Sequence, residues 1–478
     1  MRSIGWNTFF VSIGQGLRIL MAMLLLPVAS RVLGAASFGS YGLATTVMFF
    51  VMLVDDLGLN MWVTREIARH KERAQRYFAY SAGLKLALIP VSVVFVAVYM
   101  HLAAYDAATV EAIWIFTIYA VLCSFRDLAI ALFRAFEEME WESIVLSVEK
   151  IVTTLLGILA LVMGGGLRGL SWAFVAAAAV SLLVSLWPLF KKYVKPQVAF
   201  SLHEFIPMLR GAIVFGISIF LTTIYSRIDM LMLSMFKGAE YWGWYSAAHR
   251  LIDFTNMVPT VLMIATFPAL SRSAGVFADE LNRIFTRGFK WLLFLAVPMI
   301  PGVLLLSRPI IVLFYGQAFA PAVPALQILG CTAAVLFLNI YTAGVFGATN
   351  NQGKLVFIQI GGLVLSATLN YLLIPRWAHV GSSMASLITE SVVLTVTLFV
   401  AFHRVVRLTE IRFLRDAVIA AALMSLVVYL LRDGQVWAVA GVAVAVYFGM
   451  LFILGAISCQ EIAQMKNRLR NRNENRLL

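Results

Sequence analysis

Four cations stand inside runs of residues that are otherwise apolar: Arg18, Arg126, Lys150 and Arg250. An ionised side chain at bilayer depth is costly unless it faces protein or water, so each is a functional candidate by position. Arg18 is the plainest case. It lies about 12 residues into the first apolar run, which at 1.5 Å per helical residue is roughly 18 Å deep, and no carboxylate stands one turn away. The chemistry such a group offers is anion capture, because a guanidinium presents a planar fork of donors to a phosphate or carboxylate. Arg126 and Lys150 occur at comparable depth in the fourth and fifth runs and would make that part of the chain cationic. The alternative for Lys150, with Glu149, is to orient a helix start. Lys85, nearer the end of its run, can snorkel to the surface.

A polar stripe accompanies these charges. Ser246, His249, Asp253, Asn256 and Thr260 are spaced 3, 4, 3 and 4, which puts five polar groups on one helix face. Arg250, three residues before Asp253, flanks the stripe and can pair with it. Ser218, Thr222, Tyr225 and Asp229 form a second stripe, and Gln359, Ser366 and Asn370 a third. A single stripe can be glue between membrane helices. Three, with charges, point to a lined cavity in which Arg18, Arg126, Lys150 and Arg250 meet an anion while His249 and Asn256 offer hydrogen bonds. Asp55, Asp56, Glu149, Asp253 and Glu390 are the candidate proton or ion sites, Asp253 and Glu390 being the deepest. Arg227 and Asp229, close to an outer end, suit a gate or rim, or a solvated helix end.

The elements that must hold these groups are membrane helices. Apolar residues make up 62% of the chain and charged residues 13%, against the roughly 25% charged that a soluble domain uses to cover its surface. Apolar segments of about 20 residues, long enough to span the hydrocarbon, begin near residues 6, 40, 77, 111, 143, 168, 209, 242, 289, 322, 354, 379, 413 and 435. If the N-terminus is cytoplasmic, alternate loops and both tails collect most of the 37 Lys and Arg, as the positive-inside rule requires. The expected location is therefore the plasma or inner membrane, multi-pass, with both termini cytoplasmic. The net charge of +13 follows from that topology and from contact with anionic lipid rather than from nucleic-acid binding. The first run, interrupted by Gln15 and Arg18, reads as a spanning helix and not as a secretory leader.

Several function classes are excluded. The loops are too short for a folded catalytic domain, the longest outer one running about 15 residues around Arg308 to Ala322, and no phosphate-cradling Gly-x-x-x-x-Gly-Lys-Ser/Thr occurs. An integral-membrane glycosyltransferase or polymerase would need a large outer loop with catalytic carboxylates. No catalytic residue, metal site or bound cofactor is implied, and Cys123, Cys331 and Cys459 form no framework. Without an ATPase, an Na+ or H+ gradient is the remaining active route. Consumption of a product outside is a passive one.

The chain is internally duplicated. Gly34 to Ala44 and Gly238 to Ala248 share the pattern Gly-Ala-x-x-aromatic-Gly-x-Tyr-x-x-Ala, each between two apolar segments. Arg134-Ala135-Phe136 into Gly169 recurs about 212 residues later as Gly347-Ala348-Thr349 into Gly381. We therefore expect two related six-helix lobes of the same orientation, residues 1–195 and 196–408, related by an axis along the membrane normal. An extra helix pair (409–460) and a basic cytoplasmic tail (461–478) follow. The Gly-x-Tyr motif itself reads as structural.

These residues resemble a known family. Arg31-x-Leu33-Gly34 leading into Phe38-Gly39-x-Tyr41, Arg227-x-Asp229 before Gly238, and Gly243-x-Tyr245-Ser246-Ala247-Ala248-x-Arg250-Leu251 look like the polysaccharide transporter family, the O-antigen and exopolysaccharide flippases of the multidrug/oligosaccharidyl-lipid/polysaccharide (MOP) exporter superfamily. The resemblance implies an all-α, V-shaped carrier of about fourteen transmembrane helices. It implies movement of a polyprenyl-diphosphate oligosaccharide from the cytoplasmic to the outer leaflet by alternating access, with a polysaccharide polymerase or glycosyltransferases as partners. Physical chemistry agrees, since a buried Arg suits a diphosphate, and Arg18 and Arg250 are the expected head-group ligands. A peptidoglycan lipid-precursor flippase shares the helix count and basic character. A multidrug cation antiporter shares the architecture but should carry an acidic cavity.

Overall fold

The computed structural model describes residues 4–102, 105–274, 278–349, 351–431 and 434–457. The basic tail at 461–478 and Cys459 lie outside these residues. Among the described residues the chain is all-helical, as composition requires. The helices are α1 (Ile4–Asp56), α2 (Leu59–Arg69), α3 (Ala74–Leu102), α4 (Ala107–Ala135), α5 (Met139–Val162), α6 (Gly166–Lys192) and α7 (Leu202–Lys237), followed by α8 (Ala239–Thr255), α9 (Met257–Ser273), α10 (Ala278–Tyr315), α11 (Val323–Ala348), α12 (Gln352–Arg404), α13 (Arg412–Leu430) and α14 (Val436–Ile453). Among the described residues eleven stretches are long and apolar enough to cross a membrane. Large apolar side chains such as Leu183, Trp187 and Phe357 face outward, at 67, 63 and 77% exposure, which only a lipid environment tolerates on this scale.

The count of fourteen matches the expectation, but the boundaries differ in an informative way. The first two expected segments are one helix, α1, bent at Gly34 with φ 70 and ψ 176. The eleventh and twelfth are likewise one, α12, bent at Ala378 with φ 47 and ψ −127. In exchange, the expected eighth segment divides at Asn256 into α8 and α9, and the short amphipathic α2, too polar to register as a span, adds one more.

Equivalent positions of the repeated sequence motif share a backbone conformation. Gly238, the counterpart of Gly34, has φ 83 and ψ −176, the same conformation and one that is essentially confined to glycine. Gly166, which opens α6, has φ 55 and sits 212 residues before the bend at Ala378. The ends of α4 at Ala135 and α11 at Ala348 are 213 residues apart, one more than that spacing.

The chain separates into two compact units. The first comprises Met1–Ala247 with Phe314–Phe319 and Leu369–Ser382; the second comprises Ala248–Leu313, Ala320–Thr368 and Ser383–Leu478. The first unit has a core of Val63, Leu128, Leu132, Phe133, Leu189 and Ala212. The second is built on Phe285, Phe294, Tyr341, Phe346, Ala417 and Tyr447, so α13 and α14 are packed into its core.

Candidate functional site

The two copies of the repeated motif meet inside the first unit. A β-carbon on Gly39 would stand 1.8 Å from the carbonyl oxygen of Ala239, and one on Gly243 would stand 2.5 Å from that of Ala35. Ala35 and Ala239 are themselves equivalent positions, so the crossing of α1 and α8 is reciprocal, and glycine is required because each backbone touches the other. The motif tyrosines complete the joint. Tyr41 packs among Phe38, Phe116 and Phe174, and the Tyr245 hydroxyl donates to Asp229.

That last bond places the expected gate pair. Asp229 is buried and also accepts the Met230 N–H at 2.7 Å; it is no solvated helix end. Arg227 lies over the Phe49 ring at 5.2 Å, with Nη1 3.6 Å from the Met230 sulfur.

Arg18 is half-buried on α1, and its Nη2 donates to the neutral Gln15 side chain one turn away. Glu142, the carboxylate that acts on Arg18, is itself held by both Nε and Nη2 of Arg134, the former at 2.9 Å. α5 runs close beside α1 here: a β-carbon on Gly14 would lie 3.2 Å from the Ser143 Cβ, and Thr154 donates to the Met21 carbonyl at 3.2 Å.

Arg126 is engaged by carboxylates within its own unit. It is 5% exposed, its Nη1 donates to Glu149, and Nε and Nη2 reach Asp127 at 2.9 and 2.7 Å. Glu149 also accepts the Tyr119 hydroxyl at 2.6 Å. The guanidinium thus meets two carboxylates before any ligand. Glu149 and Lys150 lie in the middle of α5, which removes the helix-start alternative. Lys150 is half-buried, with its ammonium 6.0 Å from the Phe174 ring centre.

Lys85 corrects another expectation, for it does not snorkel. Its side chain is 1% exposed, and Nζ donates to Asp56 Oδ1 at 3.3 Å and Ser124 Oγ at 2.9 Å. Asp55 beside it is 1% exposed and accepts the Ser92 hydroxyl.

In the second unit the stripe on α8 brings His249 Nδ1 to 3.3 Å from Asp253 Oδ2. Arg250 is half-buried. Asn256 caps the start of α9, and its side-chain oxygen is buried without a hydrogen-bond partner. Glu390 on α12 accepts the Asn339 amide of α11 at 2.7 Å. In the first unit Asn370, from the third stripe, accepts the Ser382 hydroxyl at 3.0 Å.

Sequence reasoning missed Tyr119, Ser92, Ser124 and Asn339, each with its partner on another helix. A polar residue in a largely apolar run was the available signal. Among the described residues no group of three or more His, Cys, Asp or Glu could hold a metal ion, and Cys123 and Cys331 are free thiols.

Comparison with known proteins gives a consistent picture. Residues 4–274 match the family described as "Polysaccharide biosynthesis protein", and residues 215–372 match the MatE family. The chain is 25% identical over 350 residues to the succinoglycan biosynthesis transport protein ExoT of Rhizobium meliloti (strain 1021), covering 70% of this chain and 66% of that one. It is 22% identical to the "Putative O-antigen transporter" of Escherichia coli (strain K12), covering 83% and 96%. Among solved structures, the lipid II flippase MurJ in an inward closed conformation superposes with a TM-score of 0.79 at 14% identity, covering 94% of this chain and 98% of that one. An inward-facing multidrug resistance MATE family transporter of the MOP superfamily superposes at 0.67 and 16% identity, covering 81% and 97%.

Proposed function

Because this chain belongs to the polysaccharide biosynthesis protein family of the MOP superfamily, whose members are transporters and not enzymes, we propose that it is a flippase for a lipid-linked oligosaccharide. The substrate is a polyprenyl-diphosphate glycan, carried from the cytoplasmic to the outer leaflet by alternating access in the service of surface polysaccharide synthesis. The relatives named for succinoglycan and O-antigen transport support that substrate class.

The observation that carries the reading is Arg18. It is a half-buried guanidinium at bilayer depth whose hydrogen-bond partner is a neutral amide, while Glu142 is engaged by Arg134. A charge so placed is offset by an anionic ligand, and a diphosphate matches its fork of donors. Lys150, in the same unit, adds a second cation. Arg126, locked by Glu149 and Asp127, shapes the surroundings instead of binding phosphate. In the second unit Arg250 is the candidate cation, and His249 and Asn256 are candidate partners for sugar hydroxyls; the unsatisfied Asn256 oxygen suits a hydroxyl donor. Arg227 and Asp229, tied to Phe49 and Tyr245, are the candidate gate.

The distribution of basic residues supports a cytoplasmic position for both termini, and we take the repeats at 1–195 and 196–408 as the two lobes. An ion gradient drives the cycle, and a polymerase or glycosyltransferases supply and consume the glycan. Deletion should trap lipid-linked oligosaccharide in the inner leaflet and abolish surface polysaccharide. Accumulation of peptidoglycan precursor instead would assign the substrate to the cell-wall pathway and overturn the reading.

A further inference from the structure

Asp55 and Asp56 occupy the last turn of α1, just before Leu57 and Gly58, whose φ angles of 45 and 83 turn the chain into α2. The two carboxylates face different surroundings. Asp56 Oδ1 accepts the ammonium of Lys85 at 3.3 Å and the Asn60 N–H in the first turn of α2 at 3.1 Å, and its side chain keeps 19% of its exposure. Asp56 thus has an opposite charge, a backbone donor and the positive end of α2 beside it. Asp55 is 1% exposed and has one donor, the Ser92 hydroxyl, on Oδ1. Its Oδ2 is buried with no hydrogen-bond partner, and it stands at the C-terminal, negative end of α1.

The charges around this cluster do not balance. Lys85 from α3 is the cation, and it faces two carboxylates from α1. From α4 comes the neutral Ser124, which holds the Lys85 ammonium at 2.9 Å. Arg126, two residues further along α4, is occupied by Glu149 and Asp127. α2 contributes the neutral Asn60. From α7 the Ala212 carbonyl and the Gly216 backbone lie against Gly58. With both carboxylates ionised, the buried cluster carries one negative charge too many, and an uncompensated charge at this depth is expensive.

We infer that Asp55 is a proton-binding site, with a proton on Oδ2 in the arrangement described here and the Asp56–Lys85 pair beside it as the fixed ion pair. A proton fits better than a metal cation, because the Lys85 ammonium already occupies the cluster and Asp55 offers a single unsatisfied oxygen, far short of a cation's oxygen shell. Loss of that proton leaves two carboxylates competing for Lys85, at the junction where α1 gives way to α2 and packs against α7. The assignment of the proton rests on this geometry. Its use as the coupling ion rests on the transport reading above.

The test is infrared difference spectroscopy of the purified full-length protein in lipid nanodiscs, titrated with acid and base, using protein labelled with carbon-13 at aspartate. The expected result is a protonated-carboxyl band near neutral pH that shifts with the aspartate label. It should be lost in Asp55→Asn, kept in Asp279→Asn, which changes an exposed aspartate, and indifferent to added sodium. Absence of an aspartic-acid band in the wild type near neutral pH overturns the proposal, even if Asp55→Asn does not fold. So does persistence of the band in a folded Asp55→Asn, or its disappearance on adding sodium at fixed pH. No glycan substrate enters the measurement, so its outcome is independent of whether the flippase assignment stands.

Discussion

Gly39 and Gly243, equivalent residues of a duplicated motif, are pressed backbone to backbone: a β-carbon on Gly243 would lie 3.2 Å from both the Cα and the N of Gly39. The repeat is thus more than a record of duplication. Each copy supplies the surface that the other needs, with Ala239 facing Gly39 and Ala35 facing Gly243.

Gly39→Ala and Gly243→Ala should each destabilise the protein. The obstructing atoms are backbone, which cannot rotate aside, and overpacking of this kind costs about 1–3 kcal/mol. Gly16→Ala has open space around it and should be neutral or mildly stabilising. Thermal unfolding in detergent, followed by loss of monodisperse protein, compares the three; equal midpoints for all of them would contradict the close crossing.

Arg126 and Glu149 should behave as a unit. Removing either partner leaves a buried charge unpaired, at a cost of about 3–5 kcal/mol, whereas Arg126→Met combined with Glu149→Leu should recover much of the loss. A double-mutant cycle on thermal stability measures the coupling, and additive effects would show that the two groups do not depend on each other.

Tyr245→Phe removes a hydroxyl that donates to buried Asp229. Leaving that carboxylate short of a donor should cost about 1–3 kcal/mol. In the double variant with Asp229→Asn the penalty should shrink, because a neutral amide needs the donor less. The same unfolding assay reads both.

Arg18→Gln should leave stability close to that of the wild type while impairing transport. A hydrogen bond to a charged group is worth about 1.5–3 kcal/mol, so surface polysaccharide in cells expressing the variant should fall about tenfold to a hundredfold. Arg18→Lys, which keeps charge without the planar fork, should be intermediate. Wild-type polysaccharide levels from Arg18→Gln at equal expression would remove Arg18 from the binding site.

Much of this was legible in the chain because it depends on local pattern. The apolar runs, the repeat and the glycine turn of Gly164 to Gly166 are properties of neighbouring residues, and the matching φ at Gly34 and Gly238 follows from a glycine that recurs for a backbone reason. The charged groups were harder. Lys85 reads as a snorkelling side chain until α1 and α4 bring Asp56 and Ser124 to it from 29 and 39 residues away. Arg126 reads as a free cation until α5 delivers Glu149. The bend in α12 is hidden for a different reason, since Ala378 carries φ 47 without being glycine and nothing in its residue type announces the break.

Under the proposed function, a lipid-linked oligosaccharide crosses the membrane by way of Arg18. The most direct measurement is the leaflet position of that lipid in sealed spheroplasts, read by whether an added glycosidase can reach its sugars, in wild-type, deletion and Arg18→Gln cells. Cleavage is expected in the wild type, with uncleaved lipid-linked oligosaccharide accumulating in the deletion and, in large part, in Arg18→Gln. Equal cleavage in all three would contradict that function.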